Sequence, residues 1–190
     1  MTPTTVLSLF RSSGALLEGH FRLSSGLHSP GYLQCALVLQ HPAHAEALGR
    51  ALGEQLRPLA PTVVLSPALG GLIIGHEVAR ALGVRAIFAE RQEGTLTLRR
   101  GFTLGADERV VVIEDVVTTG GSTRETMAVA SAAGATVVGA GAVIDRSGGH
   151  SNLGVPFHAL VSLALATYDP AACPMCAAGQ PVVKPGSRSS

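Results

Sequence analysis

From Thr62 to Ala164 the chain alternates short, continuous apolar runs with stretches of helical character. Thr62–Ser66 (TVVLS), Ala86–Glu90 (AIFAE), Val110–Glu114, Thr136–Ile144 and roughly His158–Ala164 have the length and apolar content of buried strands. Leu72–Leu82 reads as a helix closed by Gly83, a position where a left-handed cap is cheapest. A second helix runs from Ser122 to about Ala133, opened by the capping box Ser122-x-x-Glu125. Strands that are apolar along both faces, with helices between them, predict an α/β fold. The expected core is an open, mainly parallel five-stranded sheet with helices on both faces.

The remaining segments are less regular. Arg91–Glu108 is polar and dotted with glycine, and reads as a mobile loop or ribbon in which TLTL (Thr95–Leu98) alternates as an exposed strand would. Two helical stretches, near Thr4–Ser13 and Ala43–Leu56, flank an irregular segment rich in Ser, Gly, His and Pro. Tyr168–Ser190 is a Pro/Gly/Cys tail without periodicity, and the chain has no internal repeat or extended linker. The expected organisation is a single domain over residues 1–190. Its core sheet spans 60–167, and residues 1–40 together with 168–190 form a small hood and tail.

Composition narrows the function classes. A chain of 190 residues with 46% hydrophobic content suits one globular domain with a full core. A net charge of +1 gives no broad electrostatic case for nucleic acid or an anionic membrane. Arg11 follows a mixed stretch rather than preceding a long apolar run, so no signal peptide is read and a cytoplasmic location is expected. The uncharged run Thr126–Ile144 approaches spanning length, but Gly134, Gly139 and Gly141 mark it as a helix end, a turn and a strand. Three cysteines are too few for a disulfide scaffold. Thirteen of the fourteen basic residues are arginine, and Lys184 is the only lysine.

The chemistry gathers at VVIEDVVTTGGST, Val111–Thr123. A buried strand ends there in two adjacent acids, Glu114 and Asp115. Val116 and Val117 lead on to Thr118, Thr119, Gly120, Gly121 and Ser122, which approach the start of a helix. Free backbone N–H groups and the positive end of a helix dipole favour a phosphate. The acids accept hydrogen bonds from a diol or approach a hydrated Mg2+. A ligand with a phosphate at one end and a ribose diol in the middle satisfies both halves. The bland reading is a tight strand–helix turn whose acids are merely solvated. No GxxxxGK[ST] occurs, and Gly139-Ala140-Gly141 lies inside a strand, so neither a Walker site nor a dinucleotide fingerprint is present.

Val110–Thr123 (VVVIEDVVTTGGST) closely resembles the phosphoribosyl pyrophosphate signature of type I phosphoribosyltransferases. Gly19–Ala36 (GHFRLSSGLHSPGYLQCA) resembles the N-terminal hood of the orotate phosphoribosyltransferases. Val143–Gly149 (VIDRSGG) is similar to that family's Asp-Arg element, and CPMCAAGQPVVKPGSR resembles the tail of a longer bacterial subgroup. The resemblance implies transfer of phosphoribose from phosphoribosyl pyrophosphate to orotate, with orotidine 5′-monophosphate and pyrophosphate as products, in pyrimidine (UMP) biosynthesis. It also implies a type I phosphoribosyltransferase fold, Mg2+ carried by phosphoribosyl pyrophosphate near Asp115, no metal held by the protein alone, and a homodimer in which a loop reaches the neighbouring site. The alternatives are transfer to another base, uracil or a purine, and a regulator that senses phosphoribosyl pyrophosphate.

Residue by residue, the resemblance assigns phosphoribosyl pyrophosphate to Glu114, Asp115, Val116, Val117, Thr118, Thr119, Gly120, Gly121 and Ser122. Pyrophosphate falls to the loop Ala68, Leu69, Gly70 and Gly71. Orotate falls to Thr118, Arg146 and Ser25, with backbone around Ser24–Gly26 above the base and Tyr32 as a wall. A bidentate arginine at a strand end suits a carboxylate; the bland reading of Arg146 is an ion pair with Asp145. Two hood and loop positions that are often lysine in relatives are Ser24 and Gly70, and Arg91–Glu108 has neither lysine nor histidine. Arg91 is therefore expected to act in catalysis with Asp115, with Arg99 and Arg100 as fallbacks. Cys173-x-x-Cys176 supplies half of a zinc set, which Cys35 or a distant histidine would have to complete, and is read as unliganded. His20, His28, His41 and His44 follow no ligand spacing, and His76 is read as packing.

Overall fold

The computed structural model describes residues 1–23 and 25–185. The elements in chain order are α1 (Pro3–Ser12), β1 (Leu16–Arg22), β2 (His28–Leu33), α2 (Cys35–Leu39), α3 (Pro42–Leu56), β3 (Val63–Pro67) and α4 (Gly71–Leu82). They continue with β4 (Arg85–Gln92), β5 (Thr95–Leu98), β6 (Arg109–Val117), α5 (Gly121–Ala132), β7 (Thr136–Asp145), β8 (Phe157–Ser162) and α6 (Pro174–Ala177).

One sheet carries the order β5-β4-β3-β6-β7-β8. Its pairings are parallel except that of β4 with β5. The sheet is therefore six-stranded rather than five-stranded. TLTL does not stand off as an exposed ribbon but pairs with the end of β4, from Ala89↔Leu98 to Gln92↔Thr95. Glu93 and Gly94, both at positive φ, close the two-residue turn that makes this hairpin. The pairing buries Leu96.

Alternation along the central strands explains why their sequences are apolar throughout. Val63, Leu65, Val110 and Val112 pack on one face with Ala130 of α5. Val64, Val111 and Ile113 pack on the other with Leu48, Leu52, Leu56, Ile74 and Val78 of α3 and α4. A fully buried Leu or Val contributes about 1.5–3 kcal/mol, and both faces are filled with them. Gly141 lets α3 approach β7, since a Cβ there would lie 3.0 Å from Leu56 Cδ1 and 3.2 Å from Ile113 Cδ1. This is what Gly139-Ala140-Gly141 is for: close packing of a helix, not a nucleotide turn.

The chain leaves β3 toward β4 on one side, then returns to place β6 on the other. The gap between the carboxyl ends of β3 and β6 is thus the topological switch point, where open α/β sheets bind ligands.

The N-terminal segment and the tail form a second layer. β1 and β2 make an antiparallel hairpin whose register breaks between Glu18 and Phe21. The tail, aperiodic in sequence, hydrogen-bonds to both outer edges of this hairpin. The Arg22 N–H donates to the Val183 carbonyl at 2.9 Å, the Val183 N–H to His20 at 2.8 Å, and His28 and Tyr168 exchange backbone bonds of 2.9 and 2.8 Å. Ser24 and residues 186–190, which include the end of the KPGSR motif, lie outside the described residues. Among the described residues no helix is long and apolar enough to cross a membrane.

Candidate active site

β6 delivers Glu114 and Asp115 to the switch point. Glu114 is 6% exposed, and its carboxylate accepts a 2.5 Å hydrogen bond from Ser122 Oγ. Burial pushes its pKa up to about 7; the Ser122 bond opposes that shift and Asp115 adds to it. Asp115 is half-buried, accepts from the Val116 N–H at 2.9 Å, and is also raised by burial. Two adjacent acids are tolerated because burial lets one of them carry a proton near neutrality. Cys35 is buried close enough that both carboxylates, after burial itself, raise its thiol pKa.

The turn after β6 has the geometry of a candidate anion site. Gly120 adopts φ 76°, and no side chain caps α5. A Cβ on Gly120 would lie 2.9 Å from Leu153 and 3.0 Å from Arg124, so both conformation and space require glycine. Arg124 fixes the loop from behind by donating to the Thr119 carbonyl at 2.8 Å and the Ser151 carbonyl at 3.3 Å. The capping box is not formed. Ser122 turns back to Glu114, and Glu125 pairs with Arg91, which leaves the first N–H groups of α5 uncapped by side chains. Thr118 and Thr119 are exposed beside them.

The loop after β3 faces the acids. A Cβ on Gly70 would lie 2.8 Å from Asp115 Oδ1, and one on Gly71 2.8 Å from the Ile113 carbonyl. The Ala68–Leu69 peptide is cis, and Leu69 is exposed. This loop, Glu114, Asp115, Val116, Ser122, Arg91 and Leu96 line one cavity of about 290 Å³. Sequence reasoning missed Leu96, Arg124 and Glu125. The Leu96 contribution follows only from the unforeseen pairing of β5.

The candidate cations differ in their engagement. Arg91 reaches the cavity wall but is bonded to Glu125 and to the Gly94 carbonyl. Arg100 pairs with Glu90 through bonds of 2.7 and 2.8 Å and lies over the Phe88 ring. Arg99 is exposed and forms no ion pair among the described residues. Arg146 does not pair with Asp145, whose carboxylate accepts instead from the Ser147 N–H at 2.7 Å. Its backbone N–H binds the Val117 carbonyl at 2.7 Å, its Nε is buried without a partner, and burial lowers its pKa. Ser25 sits exposed in the β1–β2 turn, with Tyr32 tilted against Phe21 at 5.9 Å; neither lines the cavity.

Two histidine readings change. His76 is not packing: its side chain is 70% exposed on α4. His20 and His28, which follow no ligand spacing in sequence, meet Cys173 and Cys176 in space, and the four ligand atoms lie within 4.8 Å of one another.

Residues 36–153 match the phosphoribosyl transferase domain family. Over 188 residues the chain is 53% identical to an orotate phosphoribosyltransferase of Pelotomaculum thermopropionicum, with 99% of each chain covered. Over 191 residues it is 54% identical to one of Heliobacterium modesticaldum, with both covered in full. The crystal structure of orotate phosphoribosyltransferase from Aeropyrum pernix matches with a TM-score of 0.68 at 27% identity, covering 83% of this chain and 93% of that one.

Proposed function

Because the chain belongs to the phosphoribosyltransferases, and among them to the orotate phosphoribosyltransferase family, we propose that it joins orotate to the phosphoribosyl group of phosphoribosyl pyrophosphate. The observation that carries this reading is the meeting, in one cavity, of the β3 loop with the Glu114–Asp115 pair beside the uncapped start of α5. One ligand with a diphosphate, a diol and a terminal phosphate uses all three.

The 5′-phosphate takes the N–H groups and hydroxyls of residues 118–122. Glu114 and Asp115 accept from the ribose hydroxyls, and residues 68–71 cup the pyrophosphate, where Gly70 leaves room against Asp115. Arg146, with no carboxylate partner of its own, takes the orotate carboxylate. Thr118, Ser25 and Tyr32, which stand outside that cavity, would complete the base pocket. A ring nitrogen of orotate, its proton passing to the departing diphosphate or to solvent, attacks the anomeric carbon as the bond to pyrophosphate breaks, through an oxocarbenium-like state. Charge on Asp115, and on Glu114 when it is ionised, favours the positive sugar, and Arg91 favours the departing diphosphate. The hard carboxylate oxygens beside this cavity fit Mg2+, which when bound would neutralise the diphosphate. The same reading includes one domain over residues 1–190, a cytoplasmic homodimer, and neither nucleic acid nor membrane as partner. The net charge of +1 supports that last point.

A spectrophotometric panel of bases with phosphoribosyl pyrophosphate and Mg2+ tests the reading. Orotate should be consumed and uracil and purines left. Consumption of uracil or a purine without orotate overturns the choice of base.

A further inference from the structure

We propose that His20, His28, Cys173 and Cys176 form a structural zinc site that ties the N-terminal hairpin to the C-terminal tail. His20 lies in the register break of β1 and His28 opens β2, while Cys173 and Cys176 come from the far end of the chain. Their ligand atoms nevertheless converge. His20 Nε2 lies 2.8 Å from His28 Nδ1, 3.6 Å from Cys173 Sγ and 3.7 Å from Cys176 Sγ; Cys176 Sγ lies 3.3 Å from His28 Nδ1. Zinc bonds of about 2.0–2.3 Å at tetrahedral angles separate ligand atoms by about 3.3–3.8 Å. These three S–N spacings fall at or within that span, all four ligand atoms lie within 4.8 Å of one another, and the two nitrogens need to part by about half an ångström to enter it.

The donor set and its support also fit zinc. Two imidazole nitrogens and two thiols, with no carboxylate, are a closed Cys2His2 set suited to that ion. His20 Nδ1 lies 2.9 Å from the Gln180 backbone carbonyl, which only accepts. The proton therefore sits on Nδ1, and the Nε2 lone pair faces the cluster, as a metal-binding histidine requires. Cys173 precedes a single turn that Pro174 opens and that carries Cys176, so both sulfurs point the same way. His20, His28 and Cys173 are buried, and both cysteines are free thiols.

None of the four residues lines the cavity between β3 and β6. The site instead braces the two strands that flank the turn holding Ser25. If the proposed function holds, zinc sets where that turn lies over the base without touching the reacting atoms.

The test uses the untagged full chain, purified without chelator. Metal analysis should find one zinc per chain, and Co2+ exchanged into the protein should give the intense visible bands of a tetrahedral thiolate site. Cys173→Ser/Cys176→Ser should lose both signals. With wild-type protein alone, Cys173 and Cys176 should resist alkylation until a chelator is added, while the zinc-loaded chain melts at a higher temperature than the stripped one. Failure of stripped protein to take up Zn2+ or Co2+, zinc retained by the double variant, alkylation unaffected by chelator, or a Cys173–Cys176 disulfide in freshly isolated protein would each overturn the proposal. None of these readouts depends on turnover, so they stand apart from any failure of the base assignment.

Discussion

The Arg91 guanidinium rests on Glu125, with 2.7 Å between Nη2 and Oε2, and its other terminal nitrogen donates to the Gly94 carbonyl at 2.6 Å. Both side chains of the pair are about half exposed, so it contributes at most ~1 kcal/mol and Arg91 leaves it readily for an incoming diphosphate. With no lysine in the described cavity, the interaction that matters forms in the transition state. Arg91→Ala should lower kcat by at least ~10-fold, a barrier increase of ~1.4 kcal/mol, with orotate KM nearly unchanged. Glu125→Ala should leave kcat within ~3-fold of wild type. Equal losses from both, in steady-state kinetics, would mean the pair holds the β4–β5 hairpin rather than supplying a cation.

Glu114 predicts a pH signature in stability. Its pKa rises from 4.5 unfolded to about 7 folded, so the native state binds its proton more tightly. For an acid shifted upward, the stabilisation is fully present below about pH 4.5 and is lost as pH rises through about 7. The loss is of order 3 kcal/mol at ~1.36 kcal/mol per unit. Glu114→Gln keeps an acceptor for Ser122 and removes the buried charge. In thermal melts the variant should match wild type near pH 4 and exceed it by several degrees near pH 8. A constant offset across that window would assign the effect to packing.

Arg146 separates activity from stability. Its Nε is buried with no partner, and burial lowers its pKa, so the folded chain alone gains little from the guanidinium. Arg146→Ala should cost orotate kcat/KM about 2–5 kcal/mol in transition-state stabilisation. The melting temperature should hold or rise. Parallel kinetics and melts decide: a variant that melts several degrees lower with unchanged orotate KM would make Arg146 structural.

Gly70 tests the approach of the β3 loop to the acids. Its backbone is right-handed, φ −57° and ψ −42°, so alanine brings no conformational penalty. The added Cβ would nevertheless sit 2.8 Å from Asp115 Oδ1. Gly70→Ala should depress kcat by displacing Asp115 and leave the melt nearly unchanged. Gly83→Ala should do the reverse, because Gly83 has φ 77° with open space around it, and the strain should cost ~1 kcal/mol or more. Loss of activity in both would point to a general loss of order.

What the sequence made legible was local. Val63–Leu65 and Val110–Ile113 are apolar because both sheet faces are covered, and the acids follow directly from where that run ends. Side-chain choice at the site was not local. Ser122 and Glu125 have the spacing of a capping box, yet each finds a partner from another strand, Glu114 and Arg91, which no helical pattern encodes. The β1–β2 hairpin escaped notice because a register break at Glu18/Phe21 removes its alternation and backbone bonds from Tyr168 and Val183 hold its edges. His20 and Cys173 meet only because the tail returns, over a separation that no spacing rule spans.

Arg91 acts either on its own chain's site or on a neighbour's. The resemblance implies a loop that crosses between subunits, but β4 and β5 pair along Ala89–Gln92, and Glu125 of the same chain's α5 holds Arg91. Arg91 lines one cavity with Asp115 of its own chain. Residues 99–108 are also anchored at home: Arg85 binds the Thr103 carbonyl at 2.7 Å, and Phe102 packs edge-on against Phe88 at 5.1 Å. Arg91 is therefore expected to serve its own site. In a homodimer, mixing Arg91→Ala with Asp115→Asn then leaves every site with one defect, and activity should not exceed the average of the two variants. A crossing arrangement would restore one intact site per hybrid dimer, about a quarter of all sites in an equal, randomly exchanged mixture. With exchange followed independently by mass labels on the two variants, recovery near that level would move Arg91 into the partner's site.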